Sequence, residues 1–348
     1  MEKFQIVEVT EQFNHAGTKA TADIARIADR LGFQRINIKM DTTDESTIGK
    51  LKRQIGYYRD WRRAKQQIIA GSVLLLQHPF HHKQLTREKT LHMIKDRDVK
   101  IISLVHDVEE LRAFRYSEYY KHEFATMLEL ADVIIVHNDV MKEWFVKQGI
   151  EERKLVSLGI FDYIQEEHSE KEFKFEKSIT VAGNLHTTKC GYIEQLGNIE
   201  GVKVHLYGPN FNNMLSKYES IKYHGSFPVD EIPKKLDRGF GLVWDGNSID
   251  GCQGQSGQYL RYNNPHKLSL YLSSGLPVVI WKEAAEAKFV EENEVGIVVD
   301  SLQDLSKKMD SINSTAYFKL IDNIKKIKTQ IQNGEYASRA IQECLRRI

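Results

Sequence analysis

Lys267 stands in an unusual place for a lysine. It follows Asn264, Pro265 and His266 at the head of an apolar-periodic stretch, YNNPHKLSLYLSSGLPVVIW, that runs from Tyr262 to Trp281. Asn264 is a good N-cap, and Pro265 fits the first helical position, where a missing N–H loses nothing. Leu268, Tyr271 and Leu272 supply the apolar face, Gly275 closes the helix, and LPVVIW reads as the next strand. First-turn amides and the positive end of a helix dipole favour an anion and disfavour a cation beside them. A lysine in that turn therefore reads as half of a diphosphate site. The plainer reading is a well-capped surface helix carrying an ordinary lysine.

Other candidates lie at the ends of apolar runs. AGNLHTTK, from Ala182 to Lys189, follows a strand with a glycine and small hydroxylated residues. That is the general form of a loop whose backbone approaches a phosphate, and Gly183, Asn184 and Lys189 are its contributors. The spacing is not that of a Walker loop. LYGPN ends the next strand with Tyr207, either a stacking surface for a base or a core tyrosine. In NHAGTKATADI, Gly17 and Thr18 open a helix where the backbone can meet an anion, and the absence of GxGxxG argues against a dinucleotide cofactor. LVHDVEELR brings His106 and Asp107 to a strand end, where an imidazole beside a carboxylate can deprotonate or orient a hydroxyl. Asp107 equally reads as an N-cap. The histidines of QHPFHH lack a nearby carboxylate and a dependable metal spacing, so they read as lining an acceptor groove, with no metal. Glu283 and Glu291, eight positions apart, share one side of a helix and read as solvated or as sugar-hydroxyl partners. The Gly- and Gln-rich run from Asp245 to Asn264 reads as a binding loop.

The elements that must position these residues alternate. FQIVEV, INIKM, VLLLQHP, VKIISLVHD and ADVIIVHN read as buried strands separated by helical periodicity, including a long charged helix over about 46–70. Periodicity breaks between Leu155 and Ser178, then resumes with ITVAGNL, VKVHLYGPN, IKYHGSF, FGLVWDG, LPVVIWKE and VGIVVDS. The expected architecture is α/β, with two doubly wound domains over 1–158 and 159–333 facing an interdomain cleft. A closing helix over about 334–348 is expected to pack back on the first domain. At 348 residues, two domains are also what core size dictates.

A net charge of +1 offers nothing for bulk nucleic-acid binding. Two basic clusters, Lys50–Gln54 and Asp60–Gln67, are either a solvated helix face or a surface that meets an anionic membrane. Cys190, Cys252 and Cys344 form no CxxC pair and read as free thiols of a reducing compartment. No signal peptide opens the chain, and no run approaches the roughly 18 apolar residues of a spanning helix. The expected location is the cytoplasm or, peripherally, the inner face of the cell membrane.

Taken together, LVHDVEELR, AGNL, GFGLVWDG, YLRYNNPHKLSLYLSSGLPVVIW and AEAKFVEENEVGIVV resemble a glycosyltransferase of the GT-B type. The similarity is to the group of bacterial galactofuranosyltransferases and the glucosyltransferases that extend GlcNAc on serine-rich repeat adhesins. It spans nearly the whole chain, and YNNPHK to GLPVVIW is its most specific block. The resemblance implies two Rossmann-like domains and hexosyl transfer from a UDP-sugar to a glycan, glycoprotein or lipid-linked oligosaccharide, without a bound metal or other cofactor. It implies that Lys267 and Lys189 contact the donor's diphosphate, Tyr207 the uridine, and Gly17 and Thr18 the donor from the opposite domain. Tyr259, Asn264 and His266 complete the implied nucleotide-sugar set, and a homo-oligomer is implied as well. The rival reading is a catalytically inactive GT-B-like subunit that stabilises a partner enzyme; donor hydrolysis separates the two.

Overall fold

The computed structural model describes residues 1–10, 16–40, 44, 46–113, 116–165 and 171–348. The first of two units comprises Met1–Glu110, Arg115–Leu158 and Ala337–Ile348. Its strands are β1 (Lys3–Thr10), β2 (Gln34–Met40), β3 (Val73–His78), β4 (Lys100–Val105), β5 (Val133–Val136) and β6 (Leu155–Ser157), all parallel in the order β2-β1-β3-β4-β5-β6. Strands β3 to β5 are nearly continuous Val, Ile and Leu because helices cover both faces. Helix Thr47–Gln67 starts where the Ser46 side chain accepts the Gly49 N–H, and buries Tyr57, Trp61 and Ala64 in the core. Strand β6 is a departure from the expected break at Leu155: three residues suffice to pair with β5, too short a run for periodicity to reveal.

The last helix, Glu335–Arg347, buries Ala337, Ala340, Ile341 and Cys344. Arg347 Nη1 donates to the carbonyls of Arg153 at 3.1 Å and Leu155 at 3.0 Å, pinning the helix beside β6.

The second unit contains Leu111–Phe114 and Gly159–Tyr336. Its sheet is also wholly parallel: β7 (Lys174–Ala182), β8 (Lys203–Tyr207), β9 (Ile221–Tyr223), β10 (Arg238–Val243), β11 (Val278–Trp281) and β12 (Gly296–Val299), ordered β12-β11-β10-β7-β8-β9. Trp244, Tyr271 and Tyr317 are fully buried in its core. Chain order reverses between β7 and β10 here, and between β1 and β3 in the first unit. At such a switch point the connections leave in opposite directions, opening a crevice at the strands' carboxyl ends. Both sheets are Rossmann-like, as the motif reading implied. The three cysteines are buried free thiols, and no helix among the described residues is long and apolar enough to cross a membrane.

Candidate functional site

At the carboxyl ends of β7, β8 and β9 the backbone turns through Gly183 (φ +145°), Gly208 (φ +136°) and Gly225 (φ +93°). Gly183 N donates to Tyr207 O at 3.0 Å, and Gly208 N to Gly225 O at 2.9 Å. A Cβ on Gly208 would lie 1.8 Å from Gly183 O, so only glycine lets these ends close on one another. A Cβ on Gly183 would meet nothing within 4 Å. One glycine is demanded by packing; the other faces open space at the switch point.

Asn184 holds the loop that follows, its Oδ1 accepting His186 N at 3.0 Å and Asn210 Nδ2 at 2.8 Å. The expected helix after this loop is a single turn, Thr187–Cys190, that passes into 3-10 structure over Gly191–Asn198. Lys189 belongs to that turn, and its side chain lies outside the described residues.

On the other side of the switch point, helix His266–Ser273 presents its first turn to the end of β10. Its cap differs from the expected one. Pro265 occupies the N-cap with extended backbone, while Asn264 Nδ2 donates to Gly159 O at 2.8 Å and ties the loop to the start of the unit. Lys267 Nζ donates to Trp244 O at 2.6 Å and to Asp245 Oδ1 at 2.9 Å. Burial works against the ammonium, but Asp245 outweighs it and raises the lysine above its ordinary range. The unopposed cation expected from sequence is therefore one half of an ion pair. Two of its three N–H groups are used; the third, with the Lys267 amide, finds no acceptor among the described residues. Tyr271, one turn on, accepts the Ala182 N–H at 3.0 Å, so one short helix braces the ends of both β7 and β10.

The surroundings of four further candidates can be described. Tyr207 is 5% exposed, and the His224 imidazole covers one ring face at 4.5 Å and 6°. Tyr259 is buried in the turn Tyr259–Arg261. His266 points away from β10, toward the rings of Phe161 and Tyr163. Glu283 is engaged by Arg261, which also lies over the Trp281 ring.

Sequence reasoning missed Asp245, although its place at the end of the VWD run was a signal. It also missed a relay from Glu176 through His205 to His224, with contacts of 2.8 and 2.9 Å. Burial acts to raise Glu176, yet hydrogen bonds from His205 and Lys203 hold it down at about 2. Burial and the neighbouring His205 push His224 down to about 4, so His224 is neutral at physiological pH.

In the first unit, Gln77 joins two candidate segments. Its Nε2 donates to Thr21 O at 3.2 Å, in the helix Ala16–Arg30 that contains Gly17 and Thr18. That leaves Gln77 Oε1 to face His106 Nε2 at 2.7 Å, where it can accept the ring's N–H. Asp107 is half-buried just beyond, before the short helix Glu109–Arg112. Beneath them His137, hydrogen-bonded to the backbone at His106 and Val105, is pushed down to about 4 by burial. His78 is a buried core residue near Glu123 rather than a groove residue, and Glu123 also pairs with Arg87. Residues 11–15, which include the Asn14 and His15 of the first loop, lie outside the described residues. No group of three or more His, Cys, Asp or Glu among the described residues is arranged to hold a metal ion.

Two parallel Rossmann-like sheets in one chain are the architecture of the GT-B glycosyltransferases. Anabaena HepE, solved with UDP and glucose, superposes over 100% of both chains with a TM-score of 0.61 at 12% identity. The lipopolysaccharide outer core galactosyltransferase WaaB covers 99% of this chain and 100% of its own, with a TM-score of 0.61 at 10% identity. At such identities the likeness is one of fold. Residues 3–160 match the model of the glucosyltransferase 3-like N-terminal domain and residues 179–344 that of the corresponding C-terminal domain. The β-1,6-galactofuranosyltransferase WbbI of Escherichia coli K12 is 35% identical over 252 residues, 71% of each chain. Glucosyltransferase 3 of Streptococcus gordonii is 20% identical over 96% of this chain and 97% of its own. The chain belongs to the glucosyltransferase 3-like family and is a glycosyltransferase, as its motifs implied.

Proposed function

We propose that the protein transfers a hexose (glucose, galactose or galactofuranose) from a UDP-sugar to a hydroxyl of a bacterial glycan or glycoprotein, without a bound metal. The observation that carries this reading is the fixed ammonium of Lys267 at the β7/β10 switch point, opposite the open backbone at Gly183. In this reading the donor's diphosphate lies along Gly183 and Asn184 and takes the third N–H of Lys267 together with its backbone amide. Negative charge grows on the leaving UDP as the glycosidic bond breaks. Donors already aimed at that charge lower the barrier, and removing one typically costs about 10²–10³ in rate. Asp245 keeps the ammonium oriented at the expense of its net charge, so the helix amides provide much of the attraction. His106, held by Gln77, receives or orients the acceptor hydroxyl, with Asp107 beside it.

Support for a UDP-sugar comes from the relatives, since the names of WbbI and glucosyltransferase 3 are those of hexosyltransferases, and HepE was solved with UDP-glucose as well. The test is calorimetric titration of UDP and a panel of UDP-hexoses, with and without EDTA, alongside donor hydrolysis. UDP binding unaffected by EDTA, with hydrolysis of one UDP-hexose, is the expected result. Absence of UDP binding overturns the donor, and binding without turnover of any donor favours the inactive-subunit reading.

A further inference from the structure

Helix Thr47–Gln67 has two apolar faces, and the fold uses one. Tyr57, Trp61 and Ala64 are buried in the first unit's core. On the far side Ile48 (67% exposed), Leu51 (64%), Ile55 (46%) and Tyr58 (50%) recur at spacings of three, four and three. At about 100° per residue they fall within a sector of roughly 80°. The Gln54 side chain extends this stripe by clamping a neighbouring loop, donating to Lys83 O at 2.8 Å and accepting Leu85 N at 3.0 Å. Leu85 is thereby held outward, 66% exposed. A surface helix normally spends its apolar residues on the core, and a second contiguous stripe marks a surface that something covers.

Charge selects the occupant. The helix carries seven lysines and arginines against one acid, Asp60, which is buried and spent on Arg63 and Lys39 N. The chain as a whole is only +1, so the cations are concentrated on this element. Lys50, Lys52, Arg59 and Arg62 make no ion pair among the described residues, and Lys52 and Arg59 flank the apolar stripe. A second copy of the chain fits poorly, because a two-fold interface would set this cationic helix against itself. An apolar stripe edged by unpaired cations matches a lipid headgroup layer, where the apolar side chains reach the acyl boundary and the cations meet anionic headgroups.

The geometry points to this face as a docking surface for an anionic lipid bilayer that would hold the enzyme at a membrane. The experiment is co-sedimentation of the full chain with phosphatidylcholine vesicles, with and without phosphatidylglycerol, at low and high salt. Binding is expected only to phosphatidylglycerol vesicles and should weaken with salt. Lys52→Gln and Arg59→Gln should each weaken it about fivefold. Leu51→Glu with Ile55→Glu should weaken it at least about tenfold. These exposed substitutions should leave UDP affinity and thermal unfolding unchanged, separating this surface from the donor site. Equal binding to both vesicle types, binding to neither, or variants that bind as wild type would overturn the proposal. So would a change in light-scattering mass on Leu51→Glu, which would assign the face to another copy of the chain.

Discussion

Replacing Lys267 with methionine removes one member of a pair whose nitrogen and oxygen are 2.9 Å apart. At an effective dielectric of about 20, their Coulomb attraction is roughly 6 kcal/mol before desolvation is subtracted. Both side chains are mostly buried, at 20% and 11% exposure, so water screens them only in part. Losing the cation strands the Asp245 carboxylate and leaves Trp244 O without its donor. Breaking a buried pair in this way costs about 3–5 kcal/mol. Lys267→Met combined with Asp245→Asn removes both charges and should recover about 2–3 kcal/mol of the loss. Urea unfolding of the four proteins, followed by tryptophan fluorescence, measures the cycle. The raised lysine contributes stability that is fully present below its unfolded value and is lost only as pH rises through the folded one, so the cycle should be flat across neutral pH. A single variant within about 1 kcal/mol of wild type, or a double variant no better than the single, refutes the electrostatic argument. UDP titration of the same proteins then tests the ligand role: a well-folded double variant that binds UDP as wild type makes Lys267 purely structural.

Four further outcomes follow from features already described. Gly208→Ala should destabilise the second unit by about 3 kcal/mol or more, because its Cβ collides with Gly183 O. Gly183→Ala, with space around it, should cost only the backbone strain of about 1–3 kcal/mol while weakening UDP binding at least about tenfold, a contrast read by thermal unfolding and calorimetry. Tyr271→Phe should cost about 1–3 kcal/mol by leaving the buried Ala182 N–H without its acceptor, seen as a lower urea midpoint. The unfolded chain protonates His137 below about 6.5, the folded one only near 4, so this residue makes stability fall as pH drops through that window, by on the order of 3 kcal/mol. Urea midpoints between pH 7 and 4 should show a shallower fall for His137→Asn.

Much of the fold was legible because parallel strands buried on both faces leave runs such as VLLL and VVIW that little else produces. What lay hidden needed the third dimension. Lys267 and Asp245 are 22 residues apart and meet only because helix His266–Ser273 begins where β10 ends. The relay from Glu176 to His224 spans neighbouring strands whose register no local pattern displays. The cap falls on Pro265 rather than Asn264, whose side-chain amide instead donates to Gly159 O across 105 residues, a contact that local sequence does not display. The strand-end position of Gly183 could be read from sequence, whereas the His224 ring that covers Tyr207 could not.

The route of the chain has a bearing on synthesis. Residues Gly159–Tyr336 interrupt the first unit, whose remaining segment, Ala337–Ile348, is translated after them. On a ribosome the second unit has its full complement of strands while the first still lacks Ile341 and Cys344 from its interior and the Arg347 clasp on Arg153 and Leu155. The unit begun earlier is thus completed later, and removing Ala337–Ile348 should unravel the unit that holds β1 to β6.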